Sequence, residues 1–159
     1  MHQGGDLSFS IDLSQFAGLR EAARKFGDAI RDEVAIEGAA GMALVIYEDA
    51  RSRVPVSTKA HYFYGRNSKK TGVRYLIQPG TLKAAIYRVF SPERSTPTHK
   101  LYRISWNHMK APHGAMVEFG TSRSPAHPFM RPAVARMDDA ITAGNARMAV
   151  KLAEIKGRA

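Results

Sequence analysis

The chain contains no cysteine, which excludes a disulfide scaffold and a thiolate metal site. It also lacks a long hydrophobic run, because the longest apolar stretch, Ala39 to Tyr47, is too short to span a bilayer. The first ten residues show no basic segment followed by an apolar one, the pattern of a secretory signal. We therefore expect a soluble protein that is made and kept in the cytoplasm and has no membrane partner.

Acidic residues are almost missing from the middle of the chain. Residues 50–117 hold thirteen bases and one acid, Glu93, for a net charge of +12. Residues 1–49 hold nine acids and four bases, net −5, and residues 118–159 hold seven bases and four acids, net +3. This uneven distribution predicts one strongly positive face, whose partner is nucleic acid or an acidic protein surface.

The N-terminal residues 1–12 carry glycine and serine and predict a loose arm or a short edge strand. A helix should begin near Asp12 or Ser14, because both side chains can accept hydrogen bonds from the free amides of a first turn. Its apolar residues recur three and four positions apart, which indicates one buried stripe. The stripe consists of Leu13, Phe16, Leu19, Ala23, Phe26, Ile30 and Val34.

Glycine and proline predict where this helix is interrupted and where it ends. Gly38 and Gly41 weaken the periodic pattern, so we expect a kink or a break there. The residue before Pro55 is pushed out of the helical region, so the helix should end at that point.

Residues 57–80 form a long basic and aromatic insertion, which we interpret as a loop with a short hairpin around Asn67 to Gly72. Cations and rings are interspersed along it. The cations are Lys59, Arg66, Lys69, Lys70 and Arg74, and the rings are Tyr62, Phe63, Tyr64 and Tyr75. This combination is typical of single-stranded nucleic-acid binding, but tyrosine and arginine are also favoured in protein interfaces. Both interpretations stay open, and we favour the protein interface.

Three later segments, residues 82–91, 100–108 and 114–120, alternate apolar and polar residues as strands do. They predict an antiparallel sheet of three to four or more strands, packed on one face against the helices. Pro132 suits the first turn of a C-terminal helix. The apolar stripe of that helix consists of Val134, Met137, Ile141, Met148, Leu152 and Ile155. The order of helix, strands and helix predicts an α+β fold in a single domain of residues 1–159.

No catalytic pattern stands out among the polar residues. None of the six histidines forms a spaced metal pair such as His-Glu-x-x-His. A metal triad of His108, His113 and Glu118 is conceivable, but exposed loop histidines are the simpler interpretation. Ser124 has only His127 nearby and no elbow motif. We therefore expect a protein that is not an enzyme and has no metal and no cofactor.

The stretch VEFGTSRSPAHPFMRPAV, residues 117–134, carries a resemblance to a known family. It resembles the signature of the small tail-completion, or neck, proteins of long-tailed phages, also described as minor tail components or head–tail joining proteins. Members typically end with a strand reading (V/I)EFGT, a short loop, then PF-(M/L)-RPA and a helix. Upstream, Val54-Pro55-Val56 and Gly80-Thr81-Leu82-Lys83 also match, so the resemblance covers about residues 14–155.

Two features depart from the family pattern. Members often have only a few residues between the Pro-Val segment and the Gly-x-Leu segment, where about two dozen intervene here. Many members also have Tyr-Ala before the EFGT strand, where this chain has His113-Gly114-Ala115. These departures affect the insertion of residues 57–80 most.

The resemblance implies a structural virion protein of the tail and neck, assembled in the cytoplasm of the bacterial host. Its partners would be tail-tube or terminator proteins and head-connector proteins. Copies would form a head-to-tail ring, often six-fold, with two different contact faces per subunit. DNA passing through such a ring would make at most weak contacts with it. The runner-up interpretation is a basic nucleic-acid-binding domain that uses residues 59–75 and the sheet.

Within the motif, each residue type has a physical role. Gly120 and Thr121 form the turn off the predicted strand, Pro128 stiffens the loop, Phe129 anchors the helix start in the core, and Pro132 opens the helix. Arg131 at a helix start is disfavoured by the dipole, so we expect it to pair with Glu118. Strand alternation predicts that Glu118 faces water or a neighbouring subunit. The candidate interface residues are Glu118, Arg131, Arg66, Lys69, Lys70, Arg74, Tyr62 and Tyr64.

Overall fold

The computed structural model describes residues 17–65 and 67–157, apart from the side chains of residues 17–20 and 22. The predicted arm, the helix start near Asp12 or Ser14, and Arg66 lie outside the described residues. The fold is α+β. Its elements are α1 (Ala17–Arg53), β1 (His61–Tyr64), α2 (Ser68–Thr71), β2 (Arg74–Ile77), α3 (Thr81–Ala85), β3 (Ile86–Phe90), β4 (Tyr102–Trp106), α4 (Gly114–Phe119), α5 (Met130–Val134) and α6 (Met137–Lys156).

Helix α1 is one continuous helix of 37 residues, or about 55 Å at 1.5 Å per residue. It ends at Arg53, which confirms the end predicted from Pro55. The predicted kink or break at Gly38 and Gly41 is wrong, because the helix continues through both residues.

The glycines of α1 instead allow α6 to approach closely. A Cβ on Gly38 would lie 2.6 Å from Met148 Cγ, and one on Gly144 would lie 2.6 Å from Met42 Cγ. The same added Cβ on Gly144 would lie 2.9 Å from the carbonyl oxygen of Gly38. Any larger side chain at these crossing points would therefore push the two backbones apart.

Ion pairs continue along the seam between α1 and α6. Lys151 Nζ lies 2.6 Å from Glu33 Oε1, and Arg136 Nη1 lies 3.2 Å from Asp49 Oδ1. The start of α6 therefore lies beside the end of α1, so the two helices are antiparallel. Three of the seven described acids of α1, Glu33, Glu37 and Asp49, pair with bases across this seam.

The strands form two separate antiparallel ribbons, β1–β2 and β3–β4. The predicted single sheet of three to four or more strands is wrong, because residues 114–119 are the helix α4. Residues 81–85 are also helical, so the strand predicted over residues 82–91 begins only at Ile86. The insertion of residues 57–80 holds the β1–β2 hairpin around a short helix, which agrees with the hairpin predicted near Asn67 to Gly72.

The core lies where β3–β4 and α3 to α5 meet the end of α1. Phe129 is fully buried, and the Trp106 ring meets it edge-on with 5.6 Å between centroids. Burial of a phenylalanine stabilises the fold by about 1.5–3 kcal/mol. The buried members are Val54, Leu82, Ala85, Ile86, Ala111 and Phe129.

Among the described residues, no helix is both long enough and apolar enough to span a membrane.

Candidate functional site

Glu118 is the centre of a corner that joins α4 to α5, and only 1% of its surface is exposed. Its Oε2 accepts hydrogen bonds from the amides of Phe129 at 2.7 Å and Met130 at 2.9 Å. Its Oε1 accepts from the amide and from Nε of Arg131, both at 3.1 Å. Amides at a helix start have no partner within the helix, so this carboxylate satisfies the donors that begin α5.

The same contacts set the ionisation of Glu118. Burial alone would raise its pKa, but the amides of Met130, Phe129 and Arg131, together with the Arg131 guanidinium, outweigh burial. The pKa of Glu118 is therefore below its ordinary value, and the side chain is ionised at neutral pH. Its oxygens already accept four hydrogen bonds, so the carboxylate holds the helix start and is poorly placed to act as a general base.

Arg131 completes the corner from the outside. Besides contacting the carboxylate, its Nη2 donates a hydrogen bond to the Glu118 carbonyl oxygen at 2.9 Å. Its guanidinium also lies 5.1 Å from the centre of the Phe119 ring. The contact between Arg131 and Glu118 that the sequence suggested is therefore present within one subunit.

The loop between α4 and α5 is held by backbone contacts. Gly120 has a φ of 75°, and a Cβ there would lie 2.8 Å from the Ala126 amide nitrogen, so this position requires glycine. Thr121 and Ser124 bridge across the turn, with 2.8 Å between the Thr121 amide and the Ser124 carbonyl oxygen. Pro128 precedes the buried Phe129, and Pro132 lies within the short helix α5.

Two sequence predictions about this corner are wrong. The segment predicted as a third strand is helical, and Glu118 is buried, whereas strand alternation placed it toward water or a neighbouring subunit. In a helix, residues four apart share a face, so Gly114 and Glu118 point inward together while Phe119 is exposed. Gly114 fits there because a Cβ would lie 2.3 Å from Trp106 Nε1.

The β1–β2 ribbon presents the predicted basic and aromatic residues on a defined face. Tyr62 pairs with Leu76, and Tyr64 pairs with Arg74, so these four side chains share one face. All four are exposed, and the three apolar ones expose between 47% and 59% of their surface. We call this the outer face of the ribbon. The opposite face carries Phe63, which is half-buried, and the buried Ile77.

Cations surround the outer face. The Arg74 guanidinium lies 4.2 Å from the centre of the Tyr62 ring, and Lys69 and Lys70 lie on α2 at the tip of the ribbon. Among the described bases of residues 50–117, only Arg53 and Lys100 form ion pairs with acids. The others are Arg51, Lys59, Lys69, Lys70, Arg74, Lys83, Arg88, Arg94, Arg103 and Lys110. The positive charge predicted for this region is therefore not neutralised within the part of the chain that the structure describes.

A cavity of about 250 Å³ lies beneath the face of the ribbon opposite the outer face, and it is lined in part by His61, Ile77 and His113. Burial, followed by repulsion from His61, lowers the pKa of His113. The described residues contain no cluster of three or more histidine or acidic side chains that could hold a metal ion. The conceivable triad of His108, His113 and Glu118 is therefore not assembled in this arrangement.

Sequence reasoning missed one member of the outer face. Leu76 joins this face through its pairing with Tyr62, and alternation along the strand could have identified it once the hairpin partner was known. Tyr87 and Val89, which alternation places on one face of β3, are both exposed. Comparisons of the chain with models of protein families, with curated proteins and with solved structures found no significant match.

Proposed function

We propose that the protein is a structural, non-catalytic component of the neck of a long-tailed phage, where it completes the tail and joins it to the head connector. The proposal is supported by the sequence of residues 117–133, which resembles the neck-protein signature, and by the fixed corner that this stretch forms, although its first part is a helix where the signature implies a strand. Its buried carboxylate Glu118, its turn at Gly120 and its anchor Phe129 all fix the start of α5. A motif used for architecture suits a subunit that must keep its shape within a particle.

In this proposal the protein resides in the tail and neck of the virion after assembly in the host cytoplasm. Copies form a head-to-tail ring, for which six is the expected number, between the head connector and the tail tube. The exposed outer face of the ribbon, with Tyr62 and Tyr64, is available for contact with neighbouring components. DNA in the channel meets the ring only weakly, since tight binding would oppose its passage.

Separately assembled heads and tails provide the test. Heads and tails made without this protein are mixed with the purified chain, and joined particles are counted by electron microscopy. We expect joining only when the chain is present, and the chain should be found at the junction. Heads and tails that join equally well without it, or that stay separate in its presence, would contradict the proposed function.

A second candidate is a nucleic-acid-binding domain, favoured by the ten described bases of residues 50–117 that lack an ion pair. Binding to duplex DNA weakens as salt is added. A plot of the logarithm of the binding constant against the logarithm of salt concentration has a slope of about −0.9 for each phosphate contact. Binding to a duplex fragment measured across salt concentrations would show this slope. A steep slope in a chain that does not join heads to tails would favour this candidate.

A further inference from the structure

The outer face of the β1–β2 ribbon has an apolar centre. Tyr62, Tyr64 and Leu76 lie side by side there, and each of them is about half exposed. Single exposed apolar residues are normal on a protein surface, but a contiguous group on a protruding ribbon indicates a contact site. Each member still exposes about half of its surface, although the Arg74 guanidinium lies over the Tyr62 ring.

The rim of the same surface is basic. Lys69 and Lys70 lie at the tip on α2, Arg74 lies in β2, and Lys59 precedes β1. None of these four side chains forms an ion pair with a described residue, and the sequence between Asp49 and Glu93 contains no acid. The chemistry that complements the surface is therefore an apolar centre with an acidic rim.

The described residues of a second copy of this chain offer little unpaired acidic surface as that complement. Most acids of α1 form ion pairs with bases of the same chain, as in the pairs Asp32–Lys100, Glu33–Lys151 and Asp49–Arg136. Of the described acids, those without an ion pair are Glu48, Glu93 and Asp138, which lie on α1, after β3 and on α6. Three unpaired acids are too few for an acidic rim, so among the described residues the surface is complemented better by a different macromolecule.

The apolar centre distinguishes an acidic protein from DNA. Leu76 at the centre of this face is aliphatic, so it neither binds phosphate nor stacks on bases as aromatic rings do. The Arg74 guanidinium, 4.2 Å from the ring centre, already covers one face of Tyr62. An apolar centre surrounded by charged residues is instead the usual composition of a protein interface.

We propose that the outer face of the ribbon docks an acidic protein surface with an apolar centre. This inference rests on the proposed function, which supplies two possible partners, the head-connector assembly and the tail-tube or terminator assembly. Apolar contact gives the docking its affinity, while Lys69, Lys70 and Arg74 steer the approach and fix the orientation.

The test measures binding of the full chain to three purified probes: the connector assembly, the tail-tube assembly and a duplex DNA fragment. Leu76→Ser removes part of the apolar centre, and the double variant Lys69→Glu/Lys70→Glu reverses the rim. Val89→Ser is the matched control, because Val89 is an exposed aliphatic residue on the other ribbon. All changed side chains are exposed, so melting temperatures equal to that of the wild type would show that the fold is retained.

For one of the protein assemblies, we expect Leu76→Ser and the rim variant each to raise Kd by about tenfold or more, and Val89→Ser to change it by less than about twofold. Added salt should abolish most of the effect of the rim variant but leave that of Leu76→Ser. Equal binding by Leu76→Ser and Val89→Ser would overturn the inference, whether the remaining affinity is for a protein or for DNA. If the wild type joins heads to tails and no ribbon variant affects binding, only this inference fails and the proposed function stands.

Discussion

Replacing the carboxylate of Glu118 by an amide should destabilise the protein substantially. Glu118→Gln keeps the shape of the side chain but places an NH2 group against amide donors, so either Phe129 and Met130 or both Arg131 donors lose their acceptor. Leaving buried donors unsatisfied costs about 1–3 kcal/mol each, and the relief of burying a charge offsets part of this. We expect the free energy of unfolding to fall by about 2–4 kcal/mol at neutral pH.

Chemical denaturation and thermal melting monitored by circular dichroism would measure this loss. For a chain of this length, about 2–4 kcal/mol corresponds to a fall in Tm of about 4–16 °C. Glu48→Gln is the matched control, since Glu48 is exposed on α1 and forms no ion pair with a described residue. The control should stay within about 0.5 kcal/mol of the wild type.

The pH dependence provides the sharper check. Folding depresses the pKa of Glu118, so the stability that its carboxylate contributes is complete above the unfolded-state pKa of about 4.3. That stability is lost as the pH falls through the folded-state pKa. The stability gap between the wild type and Glu118→Gln should therefore be constant near neutral pH and shrink below about pH 4.3. A gap under about 0.5 kcal/mol at neutral pH, or one that stays unchanged into strong acid, would refute the reasoning.

Three further changes test other contacts. Gly144→Ala should lower the free energy of unfolding by about 1–3 kcal/mol, because its Cβ would meet α1. The control Gly27→Ala lies in open space on α1 and should raise the free energy of unfolding by up to about 1 kcal/mol. Equal denaturation midpoints for the two variants would contradict the close helix crossing. Arg131→Ala should lower the free energy of unfolding by only about 1 kcal/mol, because the guanidinium is largely exposed and three amides still hold the Glu118 carboxylate. Unchanged stability and assembly would show that the pair of Arg131 and Glu118 has no role. His61→Ala should raise the pKa of His113, read from NMR titration, but leave it below the ordinary value because burial is the larger cause; an unchanged pKa would rule out their coupling.

The elements that could be predicted from sequence are those whose local pattern has one interpretation. The end of α1 follows from Pro55, whose ring excludes the helical conformation of the preceding residue. Strands β3 and β4 follow from alternation over five residues each, and the structure pairs Ile86 with Trp106 and Phe90 with Tyr102. Regular backbone restrictions of this kind act within a few residues and need no tertiary information.

The corner at Glu118 could not be predicted in the same way. Residues 114–119 alternate well enough to indicate a strand, yet Gly114 and Glu118, four residues apart, are the buried ones. Six residues are too few for alternation and helical periodicity to be distinguished. What decides the outcome is tertiary: the indole of Trp106 requires a glycine beside it, and the amides that begin α5 require an acceptor. The expected pairing of Glu118 with Arg131 is present, but in a buried cap within one subunit.

Helix α6 shows a second limit of periodicity. Val134 of α5 and Ile141 and Leu152 of α6 were predicted as part of one core stripe, and each of them is exposed, while the buried positions of α6 are Ala140 and Gly144. The close approach of α1 explains the burial of Gly144, whose Cβ would lie 2.9 Å from the carbonyl oxygen of Gly38, and of the predicted stripe Met148 lies at this crossing, against Gly38. An apolar stripe therefore shows that a face avoids water, but it does not show whether the chain itself or another subunit covers that face. In the proposed ring, the exposed stripe on α6 is apolar surface that copies can share, while the basic ribbon remains available to a partner of opposite charge.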